Sequence, residues 1–363
     1  MITFKIGILG AGHISEKIAE TIEKLEGFEV LAVAARDAER AAAFAEKFGI
    51  QKSYGSYDEL LADPDIELVY VGTINTTHAE LAKKCIEAGK PALVEKPFTC
   101  NVKTAEEVIT LARQKGVFIG EAMWTKYHPM MYTVLDVIAK KLIGEVRYIE
   151  AHIGYNLIKR ERVVKPELGG SALLDIGIYP IDAVMMFMNA TPLSLNSNCM
   201  KLETGADAIG TVLMNFSGGR VASVYFTSVA DMNNTCIIYG TKGRIEIDNI
   251  NCPEKAEVFD NNNNRIAQMN PNDRYINGYE YQFIEARNAI IIGKPETPQH
   301  THGEIMSFLN LADMMRVSWN TILPIEGEPT PEDIKERNER IAEILRQRHE
   351  AELAKKAAEA DAE

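Results

Sequence analysis

Cysteine is sparse and badly placed for either of its structural uses. Cys85, Cys100, Cys199, Cys236 and Cys252 are odd in number, far apart and without a Cys-x-x-Cys pair, which excludes a disulfide framework and a cysteine-built zinc site. They read as isolated thiols of a reducing compartment. His300 and His302 stand close together, but no carboxylate or cysteine lies at ligand spacing around them, so no metal is expected. No run approaches the roughly 18 apolar residues of a membrane span. The opening Met1-Ile2-Thr3-Phe4-Lys5 lacks the charged start and long apolar core of a secretory signal. A cytoplasmic protein without a membrane partner is the expectation. Positive charge is short as well: 39 Lys and Arg against 52 Asp and Glu leave a formal charge of −13. Such a surface repels a phosphate backbone, so nucleic acid is not an expected partner. A phosphorylated cofactor needs only a local pocket of donors and remains open. No internal repeat is visible.

What is present is an ordinary globular composition, 46% hydrophobic and 25% charged over 363 residues, long enough for two domains. Over the first 120 residues, short apolar runs (Ile6–Leu9, Val30–Ala35, Leu68–Val71, Ala92–Val94, Val117–Ile119) alternate with helix-period segments (Ser15–Leu25, Ala38–Phe48, Thr77–Ala88, Val102–Lys115). Gly27, Gly49, Gly89 and Gly116 follow those segments, where a left-handed residue closes a helix. The alternation predicts an α/β domain, a doubly wound parallel sheet of the Rossmann kind covered by helices on both faces. After Glu121 the texture changes. A helix-like Met130–Lys141 leads through Gly144 to the strand-like Val146–Ile153, and from Leu193 to Phe259 strands are broken by Ser217-Gly218-Gly219, Thr241-Lys242-Gly243 and Asn261–Asn264. That spacing predicts an α+β domain with an open, mainly antiparallel sheet. The expected boundaries are 1–122, 123–330 and a charged helical tail, 331–363, with Ile334, Ile341, Leu345 and Leu353 at helical spacing. The tail reads as a solvated, fraying helix or a partner-binding one.

Gly10-Ala11-Gly12-His13-Ile14-Ser15 joins the first strand to the first helix. Gly10 suits the tight turn and Gly12 a close backbone approach to a pyrophosphate at the helix N-terminus; Ser15 replaces the third glycine of the dinucleotide fingerprint. The next strand ends Ala34-Ala35-Arg36-Asp37. Ala35 cannot accept a bond from a ribose 2′-hydroxyl, whereas the Arg36 guanidinium suits a 2′-phosphate, so NADP is expected over NAD. Asp37 turns inward to the ribose or caps the following helix.

Three further segments fall at strand ends, where such sheets bind ligands. In Gly72–His78, Thr73 and Asn75 are candidate cofactor contacts, and His78 is a contact or a cap. Glu95-Lys96-Pro97 places an ammonium at the rim, stiffened by proline. In Glu121-Ala122-Met123-Trp124, Trp124 is a substrate wall or interdomain packing. The densest group is Gly169–Asp182, where Asp175, Tyr179 and Asp182 recur at i, i+4 and i+7 in an apolar segment. They would share one helix face, but Gly177 and Pro180 predict a broken or restarted helix with Pro180 in the first turn of its second part. Polar groups there need partners, structural or in a site.

Together these residues resemble the glucose–fructose oxidoreductase / inositol dehydrogenase / rhizopine-catabolism (Gfo/Idh/MocA) family over residues 3–325. Ala34–Asp37, Tyr54-Gly55-Ser56-Tyr57, Glu121–Thr125 and Leu174–Tyr179 are most similar to its dimeric dihydrodiol dehydrogenase and NADP-dependent D-xylose 1-dehydrogenase branch. Many family members carry histidine where this chain has Tyr179. The resemblance implies that Lys96, Asp175 and Tyr179 serve catalysis and that the Lys96–Pro97 bond is cis. Gly10, Gly12, His13, Ile14, Arg36, Thr73, Asn75, His78, Glu95 and Lys96 would bind NADP. Trp124, Tyr155, Asn156 and Asp182 would meet the substrate, a sugar, polyol or vicinal diol, and the open sheet would form a homodimer or higher homo-oligomer. The expected reaction is hydride transfer between nicotinamide and a carbinol or carbonyl carbon, with the Lys96 ammonium lowering the pKa of the Tyr179 phenol from its ordinary value of about 10. A glycosidase with an internal redox cycle and a nucleotide-bound regulator are the alternatives.

Overall fold

The apolar runs of the first third form strands because each is buried on both faces, as a parallel sheet between helices requires. The computed structural model describes residues 3–271, 275–321, 323–325, 327–340 and 342–343. Its first sheet contains β1 (Phe4–Leu9), β2 (Phe28–Ala34), β3 (Lys52–Tyr54), β4 (Leu68–Val71), β5 (Ala92–Glu95) and β6 (Ile119–Ala122), all parallel, in the order β3-β2-β1-β4-β5-β6. Between them run α1 (His13–Glu23), α2 (Ala38–Phe48), α3 (Tyr57–Leu61), α4 (His78–Glu87) and α5 (Val102–Lys115). The strand order reverses beside β1, so a crevice opens at the carboxyl ends of β1 and β4. Gly49 and Gly116 close α2 and α5 in the left-handed conformation.

Two details differ from the expected pattern. The edge strand β3 and the short α3, started by a Ser56–Glu59 capping box, carry too few apolar residues for periodicity to register. The last strand begins at Ile119 rather than Val117 and runs on through Glu121, paired opposite Val94. A carboxylate looks like a strand's end, but the groups that satisfy Glu121 come from elsewhere in the chain.

From β6 the backbone passes into α6 (Trp124–Tyr127), α7 (Pro129–Ala139) and β7 (Val146–Gly154), then the short α8 (Glu161–Val164). A π-helical turn, Leu173–Gly177, continues without a break into α9 (Ile178–Met188). The predicted interruption is therefore a local widening of one helix, and Pro180 sits in the first turn of α9. Then follow β8 (Ser194–Lys201), β9 (Asp207–Phe216), β10 (Arg220–Thr227), β11 (Cys236–Gly240), β12 (Gly243–Ile247), β13 (Ala256–Asp260) and β14 (Arg265–Met269), and finally α10 (Glu280–Ile291) and α11 (His302–Trp319). The second sheet has the order β14-β13-β12-β11-β7-β10-β9-β8 and is antiparallel except between β7 and β10. The three turns read from the sequence join β9 to β10, β11 to β12 and β13 to β14.

One face of this sheet carries Val212, Met214, Ala222, Val224 and Phe226, all buried, and covers the π turn and α9. Phe226 sets the spacing: a Cβ on Gly177 would stand 2.9 Å from its ring, and one on Gly210 2.1 Å. The helical stretch Pro166–Met188 is long and apolar enough to cross a membrane, and 83% of its 18-residue apolar window is buried inside this core. Residues 331–340 are helical, with Ile334 buried and Arg337 paired to Asp313 at 3.3 Å. Ile341, Leu345 and Leu353 lie outside the described residues.

Candidate active site

The crevice begins at the turn after β1. Gly10 has φ +101, and a Cβ there would lie 2.8 Å from Gly72 O, so a side chain is excluded. At Gly12 a Cβ would meet only Gly72 O, at 3.9 Å; that side is open for a ligand to reach the backbone. Gly12 is the N-cap of α1 and supplies no side chain to it, leaving amides of the first turn for an anion. His13 is exposed, Ile14 half-buried. Ser15 is buried against Gly72, where a Cβ would come within 2.6 Å of Oγ; the close helix–strand approach uses a glycine on the strand side. Arg40, which carried no sequence signal, clamps the loop by donating Nε and Nη2 to Ala11 O at 3.2 and 2.9 Å.

At the end of β2, Asp37 accepts from the amides of Glu39 and Arg40 at 3.0 and 3.2 Å. Its carboxylate caps α2. Arg36 is exposed, and no hydrogen bond or ion pair to another described residue engages it. This open glycine turn, uncapped helix start and unengaged guanidinium fit a phosphorylated dinucleotide.

Beyond β4, Thr73 and Thr77 share a hydroxyl–hydroxyl bond of 2.8 Å. Asn75 donates to Gly169 O at 3.0 Å, bridging to the loop before the π turn. His78 is buried, with Nδ1 2.8 Å from Pro97 O and Nε2 3.2 Å from Thr73 O. Burial lowers its pKa against the pull of these carbonyls. The structure thus uses His78 to hold two loops, with no ring nitrogen turned to a ligand.

The turn after β5 is held by several buried and part-buried bonds. The Lys96–Pro97 bond is cis. Glu95 Oε2 accepts the Lys96 amide at 3.1 Å, and Oε1 accepts the Tyr70 hydroxyl at 2.5 Å. Glu121 Oε1 accepts the Phe98 amide at 2.6 Å, while Oε2 lies 2.5 Å from His300 Nε2. Burial raises Glu95 to about 7, against the Tyr70 hydroxyl and the Lys96 ammonium. Lys96 Nζ reaches across to the π turn, where it bonds Asp175 O and lies 3.2 Å from Oδ1. Arg162 donates to the same Oδ1 at 2.6 Å. Burial pushes the Asp175 carboxyl up, but these two cations outweigh it and hold the group at about 2.

Tyr179 stands one turn beyond. Lys96 Nζ lies over its ring, 5.0 Å from the centroid, and its hydroxyl oxygen accepts from Trp124 Nε1 at 3.1 Å. Trp124 in turn stacks on Tyr279, centroids 4.1 Å apart and planes at 11°. The phenol is pushed well above 10, first by burial and then by the Glu95 charge. This corrects the expectation that Lys96 lowers it: the ammonium faces the ring, its charge is committed to Asp175, and burial dominates.

Lys96, Asp175, Tyr179 and Trp124 therefore converge, joined by Arg162 and Tyr279. Arg162 lay in a visible basic run, Lys159-Arg160-Glu161-Arg162; nothing in the sequence singled out Tyr279. Tyr155 donates to Asn251 Oδ1 at 3.1 Å on the β12–β13 loop. Asn156 is exposed, with its backbone amide on Asp231. Asp182 is corrected. It is 1% exposed, lies within the electrostatic reach of Lys126 and His300 and faces the interior rather than a substrate. Among the described residues no group of three or more His, Cys, Asp or Glu side chains is arranged to hold a metal.

A parallel sheet with a dinucleotide crevice, whose edge lysine meets a carboxylate and a tyrosine from the π turn and α9, defines a nicotinamide-dependent oxidoreductase. Comparison with known proteins agrees. Residues 4–122 match the oxidoreductase family with an NAD-binding Rossmann fold, and residues 131–246 match the GFO/IDH/MocA C-terminal domain. A trans-1,2-dihydrobenzene-1,2-diol dehydrogenase of Xenopus tropicalis is 35% identical over 302 residues, 81% of this chain and 91% of that protein. One from Danio rerio is 35% identical over 321 residues, 85% and 95%. The chain belongs to the Gfo/Idh/MocA oxidoreductase family. A 3-ketoreductase from Actinomadura kijaniata, determined with NADP and TDP-benzene, superposes with TM-score 0.77 at 25% identity, covering 86% of this chain and 97% of its own. An aldose-aldose oxidoreductase from Caulobacter crescentus shares the fold, with TM-score 0.78 at 20% identity over 86% and 96%.

Proposed function

We propose that this protein is an NADP-dependent dehydrogenase or reductase acting on a CH–OH or carbonyl carbon of a sugar, polyol or vicinal diol. The observation that carries the reading is the convergence of Lys96, Asp175 and Tyr179 at the mouth of the crevice. The nicotinamide, when bound, supplies or takes the hydride. Tyr179 gives its proton to the carbonyl oxygen in reduction and is left as phenolate; in oxidation it starts as the phenolate and takes the proton of the carbinol. Lys96 places a positive charge beside the oxygen as it becomes negative, and Asp175 with Arg162 keeps that ammonium in position. The diol dehydrogenase relatives support this substrate range. NADP is favoured because Arg36 is unengaged and Asp37 is used as a cap. Gly10, Gly12, His13, Ile14, Thr73 and Asn75 would complete the cofactor cradle, and Trp124, Tyr155 and Asn156 the substrate side. The uncovered face of the second sheet supports a homodimer, and five free cysteines a reducing, cytoplasmic setting.

The test is absorbance of the reduced nicotinamide after mixing the protein with NADP⁺ or NAD⁺ and a panel of aldoses, polyols and trans-dihydrodiols. Turnover with NADP⁺ on one substrate class is expected, and Tyr179→Phe should lose at least about 100-fold in kcat while still binding NADPH. Silence on every substrate with NADPH bound, or full turnover by Tyr179→Phe, would overturn the reading.

A further inference from the structure

Trp124 opens α6 at the point where the chain leaves the first sheet, and its indole is 9% exposed. One face is covered by Tyr279, stacked at 4.1 Å. Gly278, at φ +93, lies along the six-membered ring so closely that a Cβ would stand 3.1 Å from it. The indole plane is thus fixed by its neighbours before any substrate arrives. An indole nitrogen can only donate, so in the 3.1 Å contact Tyr179 is the acceptor. The phenol must then turn its own O–H elsewhere, and among the described residues no acceptor receives it.

We propose that Trp124 is a positioning residue whose indole N–H aims the Tyr179 O–H at the reacting oxygen and favours the phenolate once that proton has left. This rests on Tyr179 being the proton carrier. The physical basis is that a hydrogen bond to an anionic oxygen is roughly twice as strong as one to a neutral oxygen. The other groups around the phenol act from a distance. Glu95, from β5, and Asp175, from the π turn, oppose its ionisation, as does Tyr155 after β7; Tyr279, at the N-cap of α10, and Tyr70 of β4 are themselves raised by the Tyr179 phenol. Lys96 faces the ring and Arg162 is committed to Asp175. Trp124 is the one side chain among the described residues bonded to the phenol oxygen itself.

Trp124→Phe keeps a six-membered aromatic ring for Tyr279 and removes the N–H together with the pyrrole half of the indole. Its kcat–pH profile for oxidation should move to alkaline pH by about one unit, with KM changed less than about twofold, because the differential bond acts on the ionised state. A raised KM on an unmoved profile would overturn the proposal and make the indole a substrate wall. An independent measurement needs no turnover. With tryptophan labelled at the indole nitrogen, the protein's two tryptophans, Trp124 and Trp319, yield two N–H resonances, assigned with Trp319→Phe. The Trp124 resonance should move upfield in Tyr179→Phe, where its acceptor is gone. An unmoved resonance in a Tyr179→Phe protein that has lost turnover defeats the indole bond alone. Full turnover in Tyr179→Phe defeats the proton-carrier reading beneath it.

Discussion

Arg36 leaves β2 immediately after Ala35 and is exposed, while its neighbour Asp37 is committed to two amides of α2. A guanidinium–phosphate bond contributes about 1.5–3 kcal/mol, so Arg36→Ala should raise KM for NADP⁺ by about 10- to 100-fold and leave NAD⁺ nearly unchanged in steady-state assays. Glu95 makes a different prediction. Its folded value of about 7 lies above the ordinary 4.5, so the native state holds the proton more tightly than the unfolded chain. That contribution is complete below about pH 4.5 and is lost as pH rises through 7, about 3 kcal/mol in all. Asp175, held at about 2, has the opposite sign: its contribution is present above pH 4 and lost as pH falls toward 2. Urea unfolding at pH 5.5 and 8 should therefore show a fall in stability that Glu95→Gln flattens. An unchanged slope in that variant would remove Glu95 as its source.

The π turn is the element on which the site depends. A regular helix places Asp175 and Tyr179 on one face by their i, i+4 spacing, and the wider turn shifts that phase while Lys96 and Arg162 close on Asp175. Phe226 of β10 fills the space left by Gly177 and Gly210 and seats the turn on the sheet. Gly177 has φ −62, so Ala is helix-compatible there and gains somewhat in propensity. The clash with Phe226 costs more, typically 1–3 kcal/mol for overpacking. Gly177→Ala should thus destabilise by about 1 kcal/mol and lower kcat, and adding Phe226→Leu should restore part of both. Stability unchanged in Gly177→Ala would mean that Phe226 moves aside freely.

At the scale of the molecule, specific bonds join the first domain to the rest of the chain around the crevice. Asn75 meets Gly169, Lys96 meets Asp175, and Glu121 at the end of β6 ties the Lys96 turn to His300 just before α11. Among the described residues none covers one face of the second sheet, where Tyr148 faces Tyr239 at 5.9 Å, His152 stacks on Tyr225 at 4.6 Å and Leu213 is 43% exposed. Such a face suits a second copy of the chain meeting it by two-fold symmetry. Sedimentation should report a dimer, and Leu213→Glu should shift it toward monomer without loss of secondary structure. A wild-type monomer at micromolar concentration would refute the pairing.

Strand–helix alternation, the glycine turn after β1, the three hairpin turns and the exposed Arg36 beyond β2 are local features, and each could be read because a few neighbouring residues suffice to express its period or its turn chemistry. Lys96, Asp175 and Tyr179 stood out for the same reason, as polar groups in apolar surroundings. Their mutual arrangement is not local. Lys96 and Asp175 are 79 positions apart in the chain and Trp124 and Tyr179 are 55 apart, so packing alone decided that Lys96 faces the ring, that Trp124 bonds the phenol oxygen and that Asp182 turns inward. The sequence by itself determined which elements form and which chemical groups the protein has available. The tertiary structure decided which charges meet and how deeply each is buried, and burial is what raises the Tyr179 phenol above its ordinary value.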